Sequence, residues 1–123
     1  MISVAYAGPT EHNNSKGLLF KLTFSGDYGV NGVGDICDLT PANVSDPNFS
    51  YDQPLCFPPK DVGVFSEQLG GSYVQLKPNA TPTLSNLGVQ MFEPGGAEKA
   101  TNAAYTAAEL AGSVTIFVEL PLQ

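Results

Sequence analysis

Leu18, Phe20, Leu22 and Phe24 alternate with Leu19, Lys21, Thr23 and Ser25. A side-chain period of two places the first set on one face of a strand and the second set on the other. The turn formers that follow, Gly26-Asp27-Tyr28-Gly29 and then Asn31-Gly32, end this strand at a sheet corner. The same pattern predicts a strand over 2–7, with Ile2, Val4 and Tyr6 on one face, and a short strand over 34–39. It predicts another over 61–67 that places Val62 and Val64 together, and one over 72–77 that buries Val74 and Leu76. Two more, over 86–93 and 113–120, bury Leu87, Val89 and Met91, and Val114, Ile116, Val118 and Leu120. About seven short strands divided by turns define an all-β chain: a single antiparallel β-sandwich, jelly-roll-like.

Two stretches depart from this pattern toward helix. Thr40-Pro41 reads as an N-cap followed by proline at the first helical position, for one turn over PANV. In TNAAYTAAELAG, Thr106 and Glu109 have the spacing of a capping box, and Gly112 stops the turn. The Gly-Gly pairs at 70 and 95 mark hairpin connections. The stretch 41–60 shows neither period and holds five of the ten prolines, interleaved with Phe49, Tyr51, Leu55 and Phe57. A loop of this length in a compact domain is usually functional or disordered, and its aromatic content speaks against disorder. It is either an arm that docks on a neighbouring subunit, with Phe49, Tyr51, Leu55 and Phe57 as its protein–protein contacts, or a crossover that covers an open end of its own sandwich.

At 123 residues the chain suits one domain, 1–123, with the proline-rich arm or loop at 41–60. Thirteen Gly, ten Pro and no Trp fit a turn-rich β protein. Five lysines and no arginine stand against twelve carboxylates, for a formal charge of −7. Duplex binding draws largely on Lys and Arg contacts to phosphate, so no nucleic-acid partner is expected, nor an anionic membrane. MISVAYAGPT lacks a basic n-region and a long apolar core, so Met1 reads as the native start of a chain made in the cytoplasm. Cys37 and Cys56 are read as two buried free thiols in that reducing compartment, with a bridge between them as the alternative.

No stretch reads as a reaction centre, and no enzyme, cofactor or metal is expected. His12, the single histidine, sits in TEHNNSKG, which reads as an exposed loop without the sheltered neighbour that a catalytic base needs. Asp27, Asn31, Asp35 and Asp38 offer oxygen ligands across a glycine-rich turn, but aspartates in turns more often bond their own backbone, and the EF-hand order is missing. Gly29 to Gly34 carries no lysine and no following helix for a phosphate cradle. Asp61, Glu67, Glu93 and Glu119, candidates for paired catalytic carboxylates, read better as a solvated strand face. The sequons at Asn13, Asn43, Asn48 and Asn79 read as incidental without a secretory signal.

The order LTFSGDYGVNGVGDICDLTPANV, then SYVQLKP, then AGSVTIFVELPLQ resembles that of small virion proteins of tailed bacteriophages, the capsid decoration or cement proteins. The local likeness rests on Thr23-Phe24-Ser25, the turn around Tyr28 and Gly29, and Leu39-Thr40-Pro41-Ala42. The resemblance implies a β-sandwich or jelly roll bound as a homotrimer to the outer surface of an assembled head, with the major capsid protein as partner. It implies a structural role, reinforcing contacts between capsid subunits. The alternative is a carbohydrate- or receptor-binding β-sandwich module of a phage tail or fibre.

Overall fold

Among the residues described by the computed structural model, 1–12, 15–46 and 61–121, the order is β1 (Ile2–His12), β2 (Ser15–Phe24), β3 (Asp35–Cys37), α1 (Pro41–Val44), β4 (Asp61–Gln68), β5 (Tyr73–Lys77), β6 (Leu87–Phe92), α2 (Ala107–Ala111) and β7 (Ser113–Pro121). The strands form two antiparallel sheets, β1-β2-β7-β4 and β3-β6-β5. This is an all-β sandwich. The chain passes from sheet to sheet between β2 and β3, β3 and β4, β4 and β5, and β6 and β7, so neighbours in sequence often lie in opposite layers.

Alternation decides which faces meet. Leu18, Phe20, Leu22 and Phe24 of β2 and Val114, Ile116 and Val118 of β7 are buried together. Phe20 lies opposite Ile116, and Leu18 opposite Val118. Val74, Leu87, Val89 and Met91 supply the facing layer, and Tyr28, Leu39, Leu84 and Tyr105 belong to the same core. Burying each large apolar side chain contributes about 1.5–3 kcal/mol before conformational entropy opposes it. Ile2, Val4 and Tyr6 pack against this core from the edge strand and are only partly covered.

The hairpin is longer than its pattern predicts. β1 continues through Thr10, Glu11 and His12, which pair with Gly17, Lys16 and Ser15, so His12 belongs to a strand end instead of an exposed loop. The reason is tertiary. β7 supplies ladder partners as far as Ser15↔Pro121, and strand propensity yields to such pairing. β3 is shorter than the expected 34–39. Val62 packs against the core, whereas Val64, expected to lie with it, is exposed on this edge strand beside the register shift between Val64 and Ser66.

The glycines at 70 and 71, both at positive φ, turn the chain from one sheet into the other; they do not close a hairpin within one sheet. Gly95-Gly96 does sit in a tight reversal, with Gly96 N–H donating to Glu93 O and Glu93 N–H to Ala97 O. Thr40 occupies the N-cap of α1 without capping it; its hydroxyl donates to Asp38 Oδ1 at 2.7 Å. The capping box of α2 forms as its spacing predicts, with Glu109 N–H donating to Thr106 Oγ1 and Thr106 N–H to Glu109 Oε1.

Candidate functional site

The turns after β2 and after β6 bring a cluster of ionisable side chains to one end of the sandwich. Tyr28 is buried and donates its hydroxyl to Glu98 Oε2 at 2.6 Å, while the phenol oxygen accepts the Met91 N–H at 3.1 Å. Glu98 also accepts the Gly32 N–H through both oxygens, at 2.9 and 2.8 Å. One carboxylate thus ties the Asn31-Gly32 turn to the core phenol. Tyr105 packs edge-on to Tyr28, with ring centroids 6.2 Å apart, and donates its hydroxyl to Asp35 Oδ2. The amine of Met1 reaches the same Asp35 oxygen at 3.2 Å.

Next to the Tyr105 ring lies the most deeply enclosed charge pair. Lys99 Nζ sits 3.0 Å from Glu109 Oε1, 3.7 Å from Glu93 Oε1 and 3.2 Å from Ala104 O. The Lys99 and Glu109 side chains are 2% and 0% exposed. Ser72 donates to the other oxygen of Glu109 at 2.7 Å. Among the described residues, no buried side-chain nitrogen or oxygen lacks a hydrogen-bond partner. Isolated buried charges are costly, and this network spends its polar capacity inward on fastening turns to the core.

Protonation follows from these contacts. Burial pushes the Tyr28 and Tyr105 hydroxyls well above the ordinary phenol range, and their bonds to Glu98 and Asp35 push further in the same direction. Burial alone raises Glu109, but hydrogen bonds from Ser72, Thr106 and Lys99, with the lysine charge, outweigh it and hold the carboxyl below its ordinary value. Cys37 is a buried free thiol pushed up to about 12 by burial, a state inert as a nucleophile near neutral pH.

The residues that the sequence offers for chemistry are engaged in internal bonds. Asp35 meets Tyr105, Asp38 caps its own turn through Thr40, and Asn31 Nδ2 donates to Lys99 O at 2.9 Å. Among the described residues, no group of three or more His, Cys, Asp or Glu side chains is placed to hold a metal ion. Glu67 turns to the Val74 N–H, and Glu93 to Lys99. Phe49, Tyr51, Leu55, Phe57 and Cys56 lie outside the described residues, as does the side chain of His12.

Two features of the surface have no counterpart in the sequence reading. A groove of about 200 Å³ opens on the flank between β4 and β5, lined by Val62, Leu76, Pro78, Pro82 and Leu87. A hollow of about 210 Å³ lies across Pro78, lined by Val33, Ile36, Lys77, Ala80 and Gly88. Val30, Val33 and Ile36 are all exposed beside it, and Phe65 is 69% exposed on β4. Strand alternation alone could have flagged Ile36, which points away from the core between buried Asp35 and Cys37. The groove depends on loop 78–86, which has no period.

No family model, no curated protein and no solved structure matches this chain.

Proposed function

We propose that this chain is a structural virion protein of the capsid decoration class, binding the outside of an assembled phage head through the major capsid protein, as a homotrimer. The observation that carries the reading is the division of chemistry between inside and outside. The acid–base groups at the sandwich end are consumed by internal bonds, whereas Val30, Val33, Ile36 and Phe65 are left to solvent. Exposed apolar patches of this kind suit protein contact. A chain with −7 formal charge and no arginine is repelled by packaged DNA, which favours the outer face of the shell. Phe49, Tyr51, Leu55 and Phe57 are the proposed anchors of the arm.

The test is to mix purified protein with undecorated shells and measure occupancy after sedimentation. Wild type is expected to saturate the shells, and Phe49→Ala with Tyr51→Ala to lower affinity about tenfold or more, as aromatic anchors tend to dominate interfaces. Failure of the wild type to bind any shell rejects the proposal. Equal occupancy for both removes the arm from the interface.

One observation favours the carbohydrate-binding alternative. On the outer face of the smaller sheet, Tyr73 and Phe92 stack with centroids 5.2 Å apart and planes 8° apart, next to the paired Gln75 and Gln90. Aromatic rings beside amides are a surface that sugars use, and retention on a glycan array that is lost in Tyr73→Ala would put this reading first.

A further inference from the structure

We infer that the Lys99–Glu109 ion pair is an acid-labile latch: protonating Glu109 releases the segment 98–112, with α2, from the sandwich end while the two sheets remain folded. Within 98–112 the buried residues are Lys99, Tyr105 and Glu109, two charges and one phenol. β2 and β7, in contrast, bury Leu18, Phe20, Leu22, Phe24, Val114, Ile116 and Val118. Tyr105, whose ring packs against Phe24 and Tyr28, is the segment's one large apolar anchor; the segment's other two buried side chains are fastened by charge, whereas the sheets are held by groups whose burial does not depend on charge. Backbone bonds from Tyr28 N–H to Ala103 O and from Asn102 N–H to Gly29 O join the segment to a neighbouring turn. They add no apolar anchor. Regions with few buried apolar contacts open at lower free energy than the core.

Glu93 is the second carboxylate facing Lys99, and Tyr105 presents its ring to the ammonium at 5.9 Å. Beyond that ring lie Asp35 with the Met1 amine, and Tyr28 with Glu98. Ser72, from the turn before β5, is uncharged, and Glu67 of β4 is engaged by the Val74 N–H. Protonating Glu109 removes the negative charge nearest the Lys99 ammonium. Lys99 is then a cation at 2% exposure without its carboxylate, and it reaches water only if the segment lifts.

The experiment is amide hydrogen exchange of the full chain between about pH 7 and about pH 3, with each peptide's protection expressed relative to its intrinsic rate. The 98–112 peptides are expected to lose protection at a pH where β2 and β7 keep theirs. Ser72→Ala removes one bond that holds Glu109 ionised, and should move the opening to higher pH. Lys99→Met with Glu109→Leu replaces the pair by apolar side chains, and should keep 98–112 protected to the pH at which the sheets open. Simultaneous loss of protection in 98–112 and the sheets overturns the inference, as does an opening pH that Ser72→Ala leaves unchanged.

Discussion

Tyr28 and Glu98, seventy residues apart in sequence, share a hydrogen bond of 2.6 Å, and the phenol oxygen that donates it also receives the Met91 N–H of β6. A single hydroxyl thereby joins the turn after β2, the loop after β6 and the central strand of the smaller sheet. Its position explains why a residue in a Gly-Asp-Tyr-Gly turn is 1% exposed.

The alkaline behaviour of the protein should follow from this contact. Tyr28 and Tyr105 have phenol pKa values raised in the folded state, so their contribution to stability is complete below the ordinary value of 10.0 and is lost as pH rises above it. Ultraviolet titration of the five tyrosines should therefore show Tyr28 and Tyr105 ionising late, together with loss of sheet. Tyr28→Phe leaves the Met91 N–H without its acceptor and takes one hydrogen bond from Glu98, and should cost about 1–3 kcal/mol in urea unfolding. All tyrosines titrating together near their ordinary value in folded protein would contradict the assignment.

At the other side of Tyr105, the Lys99–Glu109 pair predicts an asymmetry between single and double substitution. Glu109→Ala leaves a buried ammonium and should cost about 3–5 kcal/mol, whereas Lys99→Met with Glu109→Leu should recover most of that loss. Denaturant midpoints of the wild type and these two variants measure it. Because the folded pKa of Glu109 is lowered, the pair's contribution is present above the ordinary carboxyl value of 4.5 and is lost as pH falls through the folded value. The Glu109→Ala penalty should accordingly shrink in acid.

Ile116 is fully buried between Phe20 on β2 and Val64 on β4. Ile116→Asp would put a lone carboxylate there and should abolish cooperative folding. Circular dichroism of the wild type should show mainly sheet, and a soluble, cooperative Ile116→Asp variant would mean that the opposite face of β7 is the core.

Gly34 has φ of 91°, and a Cβ on it would run into the carbonyl of Val89 on β6. Both the backbone conformation and the close approach call for glycine. Gly34→Ala should cost about 1–3 kcal/mol, while Gly95→Ala, with nothing within 4 Å of the added carbon, should stay within about half a kcal/mol. Thermal unfolding of the two variants separates these outcomes.

The period-two signal made the core faces of β2, β6 and β7 legible, because those strands are paired on both sides and their inward residues are large. Thr106 and Glu109 were legible as a cap, since that bond is local. The rest of Glu109's role was hidden. Its partner Ser72 opens the strand expected over 72–77 and Lys99 lies between expected elements, and only the folded chain brings them within hydrogen-bond distance. The strand character of Thr10, Glu11 and His12 was hidden for a similar reason, as their partners across the hairpin are themselves polar. Asp35 reads as a turn aspartate, and becomes a core acceptor only when Tyr105 arrives from seventy residues away.

The bond from Val74 N–H to Glu67 Oε2, 3.0 Å long, has a consequence for the crowded state of any protein made in many copies. β5 is the last strand of its sheet, and an open ladder on such a strand is a template on which further chains can stack. Glu67 fills that vacancy with a carboxylate, which accepts the donor and brings a negative charge to the place where an incoming strand would lie. Glu67→Val would free the Val74 donor and remove the repulsion, so the variant should form fibrous aggregates at concentrations where the wild type stays dispersed.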